Sequence, residues 1–206
     1  MNKNKICMIF DMDGTLWDAT RGVSEAYNEY LEKGWKDYLT HQTHFDHQSG
    51  DQRDCDHLFP QLDAQERLDI ARRCKHENEY LPAWRYPVSE VEETLGAGAE
   101  HPLMIVTNAD DGYVQAMFAA HDIGRYFIDF EMYGRTQLVK GENIRLVMQR
   151  NQIERAVYVG DTRKDQEACE LAQVPFIYAS YGFGEVDHWD ARIDHFEELL
   201  SCIESF

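Results

Sequence analysis

The sequence predicts an α/β fold built on an open parallel sheet with a helical segment inserted into it, and three observations carry that expectation. Short apolar runs recur along the chain, and each ends in polar or glycine-rich sequence, as buried parallel strands do. Stretches of helical pattern separate most of these runs, which makes right-handed βαβ units covered on both faces. One long segment near the start breaks the alternation and holds no convincing strand.

The first strand is Ile6–Phe10, and it stops at Asp11. Leu103–Val106 follows, leading into Thr107 and Asn108; then come Phe127–Met132, Ala156–Val159 before Gly160 and Asp161, and Phe176–Tyr178. Helices are expected at about 89–95, 111–121, 142–151 and 165–172. The first has a capping-box pattern, Ser89 with Glu92, in which each side chain satisfies a free backbone N–H. Residues 15–86 are the exception. There 22–33 reads as helix, and 63–81 places Leu68, Ala71, Cys74 and Asn78 near one face. The expected organisation is a core of 1–14 and 87–206 interrupted by an inserted helical module at 15–86.

Composition limits what such a protein can do. In 206 residues there are 38 Asp and Glu against 20 Lys and Arg, a net charge of −18, with 43% hydrophobic residues and a mean hydropathy of −0.59. The chain has enough apolar material for a core, and its long-range field repels nucleic acid and anionic membranes. The five cysteines are scattered and form no CxxC pair, which argues against a zinc site or disulfide framework and for a reducing compartment. The apolar run before Asp11 is too short for a signal peptide, and no stretch approaches the roughly 20 apolar residues of a membrane span. A soluble cytoplasmic protein is expected, as monomer or homodimer.

Parallel sheets bind ligands beyond the carboxyl ends of their strands. Reading those positions gives Asp11, Asp13 and Thr15, then Thr107 and Asn108, then Asp161 and Asp165. Asp11 and Asp13 stand two apart, so in extended chain both carboxylates face one cleft. Gly14 and Thr15 allow a sharp turn that presents N–H groups to an anion. If Asp161 and Asp165 join Asp11, several like charges converge and need a cation, and an all-oxygen set suits Mg²⁺. Asp165 alone also reads as the N-cap of the helix after it.

Asp11-Met12-Asp13-Gly14-Thr15-Leu16 resembles the first motif of the haloacid-dehalogenase superfamily. Thr107-Asn108 resembles its second motif, and Gly160-Asp161-Thr162 with Asp165 its fourth. The third motif is a lone lysine one helix and one strand earlier, and Lys140 fits that spacing better than Lys164, which lies inside the fourth. The resemblance covers essentially the whole chain. It implies a Rossmann-like core with a C1-type helical cap, as in the phosphoglycolate-phosphatase-like and β-phosphoglucomutase-like branch. Glu131–Arg135 and Tyr181–Gly184 are similar to segments of phosphoglycolate-phosphatase-like members, less diagnostically.

Carried over residue by residue, the resemblance implies that Asp11 is the nucleophile and Asp13 the general acid and base. Mg²⁺ would be held by Asp11, the Asp13 main-chain carbonyl and Asp161, with Asp165 as ligand or support. Thr107 and Lys140, with backbone N–H groups near Asn108 and Gly14, would bind the phosphoryl oxygens of a small phosphorylated metabolite. Dehalogenases of the superfamily lack the second acid, so Asp13 favours cleavage of C–O–P esters. The expected activity is that of a phosphatase. The alternatives are a phosphosugar mutase and a phosphate-binding regulatory protein without turnover. In the inserted segment, the cluster from His41 to His57 reads as a solvated polar face rather than a second metal site. Arg72, Arg73 and Lys75 read as an outer helix face, as do Arg21 and Arg53, and Trp17, Trp35 and Trp84 as packing within or under the cap.

Overall fold

The computed structural model describes residues 5–18, 63–67 and 90–206. The chain divides into two compact units, Met1–Asp18 with Pro87–Phe206, and Ala19–Tyr86. In the first unit the strands are β1 (Cys7–Phe10), β2 (Leu103–Thr107), β3 (Phe127–Met132), β4 (Ala156–Gly160), β5 (Phe176–Ala179) and β6 (Ala191–Ile193). All are parallel, in the order β3-β2-β1-β4-β5-β6. The chain builds outward from β1 to β3, then returns to place β4 on the other side of β1. The reversal lies between β1 and β4, where doubly wound sheets leave a crevice at their carboxyl ends.

The helices are α1 (Val91–Ala97), α2 (Tyr113–Ala120), α3 (Tyr133–Thr136), α4 (Lys140–Arg150), α5 (Arg163–Ala172) and α6 (Leu199–Ile203). Alternate strand positions face opposite sides. Cys7, Ile9, Met104, Val106, Ala156 and Tyr158 share one buried cluster with Ile144 and Val147 of α4 and Ala168 and Cys169 of α5. On the other side Phe10 packs against Phe196, with ring centroids 6.0 Å apart. β1 is therefore buried on both faces, as its unbroken apolar sequence requires.

Four local features differ from the sequence expectations. β6 has only three residues, too few for a hydrophobic pattern, and is defined by pairing with β5. The N-cap of α1 is Glu90, with φ 61° and no side-chain cap. Glu92 instead pairs with Arg125 at 2.8 Å, and Ser89 lies outside the described residues. The cap of α5 is Thr162, not Asp165; Asp165 sits at the third helical position and completes a capping box with Thr162. Trp17 belongs to the first unit, buried, with its ring tilted against that of His121 and the centroids 4.5 Å apart.

Of the second unit, residues 64–67 form a helical turn. Asp63 Oδ1 accepts from Gln65 N and Glu66 N, and Asp63 N donates to Glu66 Oε2, which starts the helix expected at 63. The expected helix at 22–33, Trp35, Trp84, the His41–His57 cluster, Arg21, Arg53, Arg72, Arg73 and Lys75 lie outside the described residues.

The segment Glu131–Arg135 after β3 is held by charge. Buried Glu131 accepts from Arg135 Nε and Arg150 Nη1, each at 2.7 Å, and Arg150 also clasps Asp129. This ties β3 to the end of α4 and fixes the connection that delivers Lys140. Because Ile9 is fully buried in the core, Ile9→Ala is expected to lower the unfolding free energy by about 2–5 kcal/mol in a denaturant titration.

Candidate active site

Asp11 follows β1 directly, and its N–H donates to Val159 O of β4 at 2.8 Å, so the two strand ends are level. Asp161 follows β4 by the same logic, and Asp165 lies one turn later in α5. Oxygens of the three carboxylates fall within 4.8 Å of one another, and all three residues are buried. Asp13 is outside this cluster. The strand ends at Phe10, and the chain closes at once into a turn in which Met12 O accepts from the N–H groups of Thr15, Leu16 and Trp17. Asp13 Oδ1 accepts from the Tyr113 hydroxyl at 2.7 Å, and its carboxylate is near enough to Asp11 to help raise the pKa of Asp11.

Lys140 supplies the positive charge. It is the first residue of α4, at the helix end that disfavours a cation, and it is 6% exposed. Its Nζ lies 2.9 Å from Asp11 Oδ1 and 2.5 Å from Asp165 Oδ1. Burial opposes its charging, but the facing Asp11 and Asp165 carboxylates outweigh burial and raise its pKa above the ordinary lysine value. Lys164, by contrast, is exposed.

Asp165 has both oxygens committed. Oδ1 meets Lys140 and, at 3.3 Å, the Tyr158 hydroxyl; Oδ2 accepts from Thr162 Oγ1 at 2.6 Å, Thr162 N at 3.0 Å and, at 3.3 Å, Asp161 N. It therefore braces the lysine and the Asp161 loop. Asp161 is less satisfied. Its Oδ2 accepts from Phe183 N at 2.7 Å, while Thr15 Oγ1 stands 3.5 Å from Oδ1. Asp11 Oδ1 is buried, and despite the ion pair it has no aligned hydrogen bond.

Three buried carboxylates against one ammonium leave an excess of negative charge. Burial and the neighbouring Asp165 push Asp11 from the usual carboxylate range to about 7, against the pull of Lys140. Burial, with Asp165 and Asp11 nearby, also raises Asp161 well above that range. Both shifts mark a site short of cation charge. An all-carboxylate donor set with an orphaned buried oxygen fits a hard divalent ion such as Mg²⁺. The oxygens of Asp11 and Asp161 are the ones suited to face it.

Glycine geometry explains how the carboxylates come so close. Gly14 has φ +82°, and a Cβ there would lie 2.2 Å from Asp161 Oδ2. A Cβ on Gly182 would lie 2.2 Å from Asp161 Cβ, so the Tyr181–Gly184 loop can wrap Asp161 only without a side chain. Tyr181 anchors this loop by donating to Thr15 O at 2.9 Å. The expectation that Gly14 offers its N–H to an anion is corrected: that N–H donates to Trp17 O at 2.7 Å. Thr107 ends β2, buried, and Asn108 follows, half-exposed.

Sequence reasoning missed Tyr113, Tyr158 and the Phe183 N–H. Tyr158 looked like an ordinary strand aromatic, yet its hydroxyl sits 2.8 Å from Val106 O, and its ring lies 5.8 Å from the Lys140 ammonium. Burial and the Asp13 carboxylate keep Tyr113 from ionising in the ordinary range. The one legible signal was T-x-x-D in Thr162–Asp165, a capping-box pattern.

A doubly wound parallel sheet with a cluster of carboxylates and a lysine at its switch point defines a Rossmann-like protein. The family follows from comparison: residues 8–179 match the model of haloacid dehalogenase-like hydrolases, and the chain belongs to that family. A phosphoglycolate phosphatase of Photobacterium profundum is 26% identical over 217 residues, covering 95% of this chain and 94% of that protein. A HAD-superfamily hydrolase of subfamily IA, variant 1, from Geobacter sulfurreducens shares the fold with TM-score 0.75 and 18% identity, covering 97% of this chain and 96% of that chain. CbbY from Rhodobacter sphaeroides, solved in complex with phosphate, gives TM-score 0.68 at 15% identity, covering 97% and 99% of the two chains. Among the described residues, no helix is long and apolar enough to cross a membrane.

The raised Asp11 pKa has a thermodynamic sign. Between about 4 and 7 the folded protein binds a proton at Asp11 that the unfolded chain releases, so this group's contribution to stability falls as pH rises through that window. A divalent cation bound there would replace the proton. The rise in melting temperature produced by Mg²⁺, relative to EDTA, is therefore expected to grow from pH 5 to about pH 7.5. A pH-independent increment would contradict the shift.

Proposed function

We propose that this protein is a Mg²⁺-dependent phosphatase that hydrolyses a small phosphomonoester, of the phosphoglycolate phosphatase type, through an aspartyl phosphate on Asp11. The observation that carries the reading is the buried cluster of Asp11, Asp161 and Asp165 braced by Lys140. The likeness to a curated phosphoglycolate phosphatase along nearly the whole of both chains supports it. The roles are those that the family resemblance implies. Asp11 stands at the switch point with its carboxylate against Lys140, where one of its oxygens can form a bond to phosphorus. Lys140 touches Asp11 and neutralises charge where the phosphoryl oxygens gather, with Thr107 and the N–H groups near Asn108 completing their binding.

Asp11 and Asp161, with the Asp13 main-chain carbonyl, would hold Mg²⁺, and Asp165 supports them from behind. When bound, the ion offsets the phosphoryl charge and the excess of carboxylates. As the Asp11 oxygen bonds to phosphorus, the bond to the ester oxygen breaks, and that oxygen takes a proton from Asp13. Asp13, now a carboxylate, removes a proton from water. The resulting attack on phosphorus breaks the Asp11–phosphoryl bond, releases inorganic phosphate and restores both acids.

The test is phosphate release from a panel of sugar phosphates, phosphoglycolate and nucleotides, with Mg²⁺ and with EDTA. Release is expected from small monoesters with Mg²⁺ and none with EDTA. Asp11→Asn should abolish it, and Asp13→Asn should slow it about 10²–10⁴-fold. A mutase would release little phosphate and need a sugar bisphosphate for turnover. Full activity in Asp11→Asn would overturn the nucleophile assignment.

A further inference from the structure

Asp13 carries a task that depends on direction: its proton must reach one oxygen of the ester and no other. The backbone of its turn is fixed by the bonds to Met12 O and by Gly14 N to Trp17 O, but these bonds do not set the torsions of the Asp13 side chain. The Tyr113 hydroxyl bears on those torsions by donating to Asp13 Oδ1 at 2.7 Å. Tyr113 is the first residue of α2, which is anchored by buried Val114 and Met117, so the phenol approaches from a packed element rather than a loose loop. No step of the proposed chemistry calls for a tyrosine here, and the motif that singled out Asp13 contains none.

A carboxyl group whose Oδ1 accepts a hydrogen bond carries its acid proton on Oδ2, because a proton on Oδ1 would compete with the donated O–H. We propose that Tyr113 is a positioning residue that orients the Asp13 carboxyl so that its proton is aimed at the leaving oxygen of the ester. The inference rests on the reading of Asp13 as the general acid. It also determines which substrates feel the residue. An alkyl phosphate expels an alkoxide, which must be protonated as the P–O bond breaks. An aryl phosphate with an acidic phenol expels a stable anion that needs no proton.

The experiment compares Tyr113→Phe with the wild-type protein on phosphoglycolate and on p-nitrophenyl phosphate, both with Mg²⁺, reading kcat/KM, which reports the step that breaks the ester. The variant is expected to lose about 10–100-fold on phosphoglycolate and less than about threefold on p-nitrophenyl phosphate. A merely structural role would lower both alike, and equal losses, or no loss on phosphoglycolate, would overturn the proposal. The Mg²⁺-induced rise in melting temperature of Tyr113→Phe reports that its fold and metal site are intact. A second arm places Tyr113→Phe in an Asp13→Asn background. If Tyr113 acts through Asp13, the added substitution costs nothing further on phosphoglycolate, whereas additive losses contradict it. A wild-type protein that hydrolyses neither ester would sink the phosphatase reading and this inference with it. Equal losses in an active enzyme sink this inference alone.

Discussion

The Lys140 ammonium held between Asp11 and Asp165 is the interaction on which the rest of the site depends. Three carboxylates within 4.8 Å, all buried, cannot remain ionised together in a low dielectric without compensating charge. Lys140 supplies one unit, from a helix end where a cation is otherwise disfavoured. That placement makes sense only with the acids opposite. Asp165 gives up both oxygens to hold the lysine and the Asp161 loop, and Asp11 and Asp161 are left short of donors with raised pKa values. In the proposed function, that deficit of positive charge is what a divalent cation would offset.

The fold exists in a form that brings these groups together. β1 and β4 are adjacent only because the chain reverses its direction of winding after β3, and their level ends bring Asp11 beside Asp161. The glycines at 14 and 182 remove side chains that would push the carboxylates apart. The ion pairs of Glu131 with Arg135 and Arg150 secure the connection that starts α4 at Lys140. The site is thus an outcome of strand order, helix start and two missing Cβ atoms.

Much of this was legible in the sequence, for physical reasons. Strands buried on both faces must be apolar throughout, so β1, β2, β4 and β5 stood out, and polar residues at their ends were exposed as site candidates. Lys140 was legible only through the family resemblance, as the lone lysine one helix and one strand before the fourth motif. β6 was not, because three residues carry no periodicity and its identity lies in pairing with β5. The Gly14 N–H was misread because its partner, Trp17 O, lies within a turn whose closure depends on three bonds to Met12 O. Tyr113 and Tyr158 were hidden because an aromatic on a helix or strand looks like packing until its hydroxyl is located.

The central claim is that a divalent cation takes the place of protons within this carboxylate cluster. Calorimetric titration of Mg²⁺ into the metal-free protein, in buffers that differ in heat of ionisation, counts the protons released per ion bound. Release of protons is expected at pH 6, because burial and mutual repulsion raise both Asp11 and Asp161, and the count should fall as pH rises. Mg²⁺ binding without proton release at pH 6, or no binding at any pH, would contradict it.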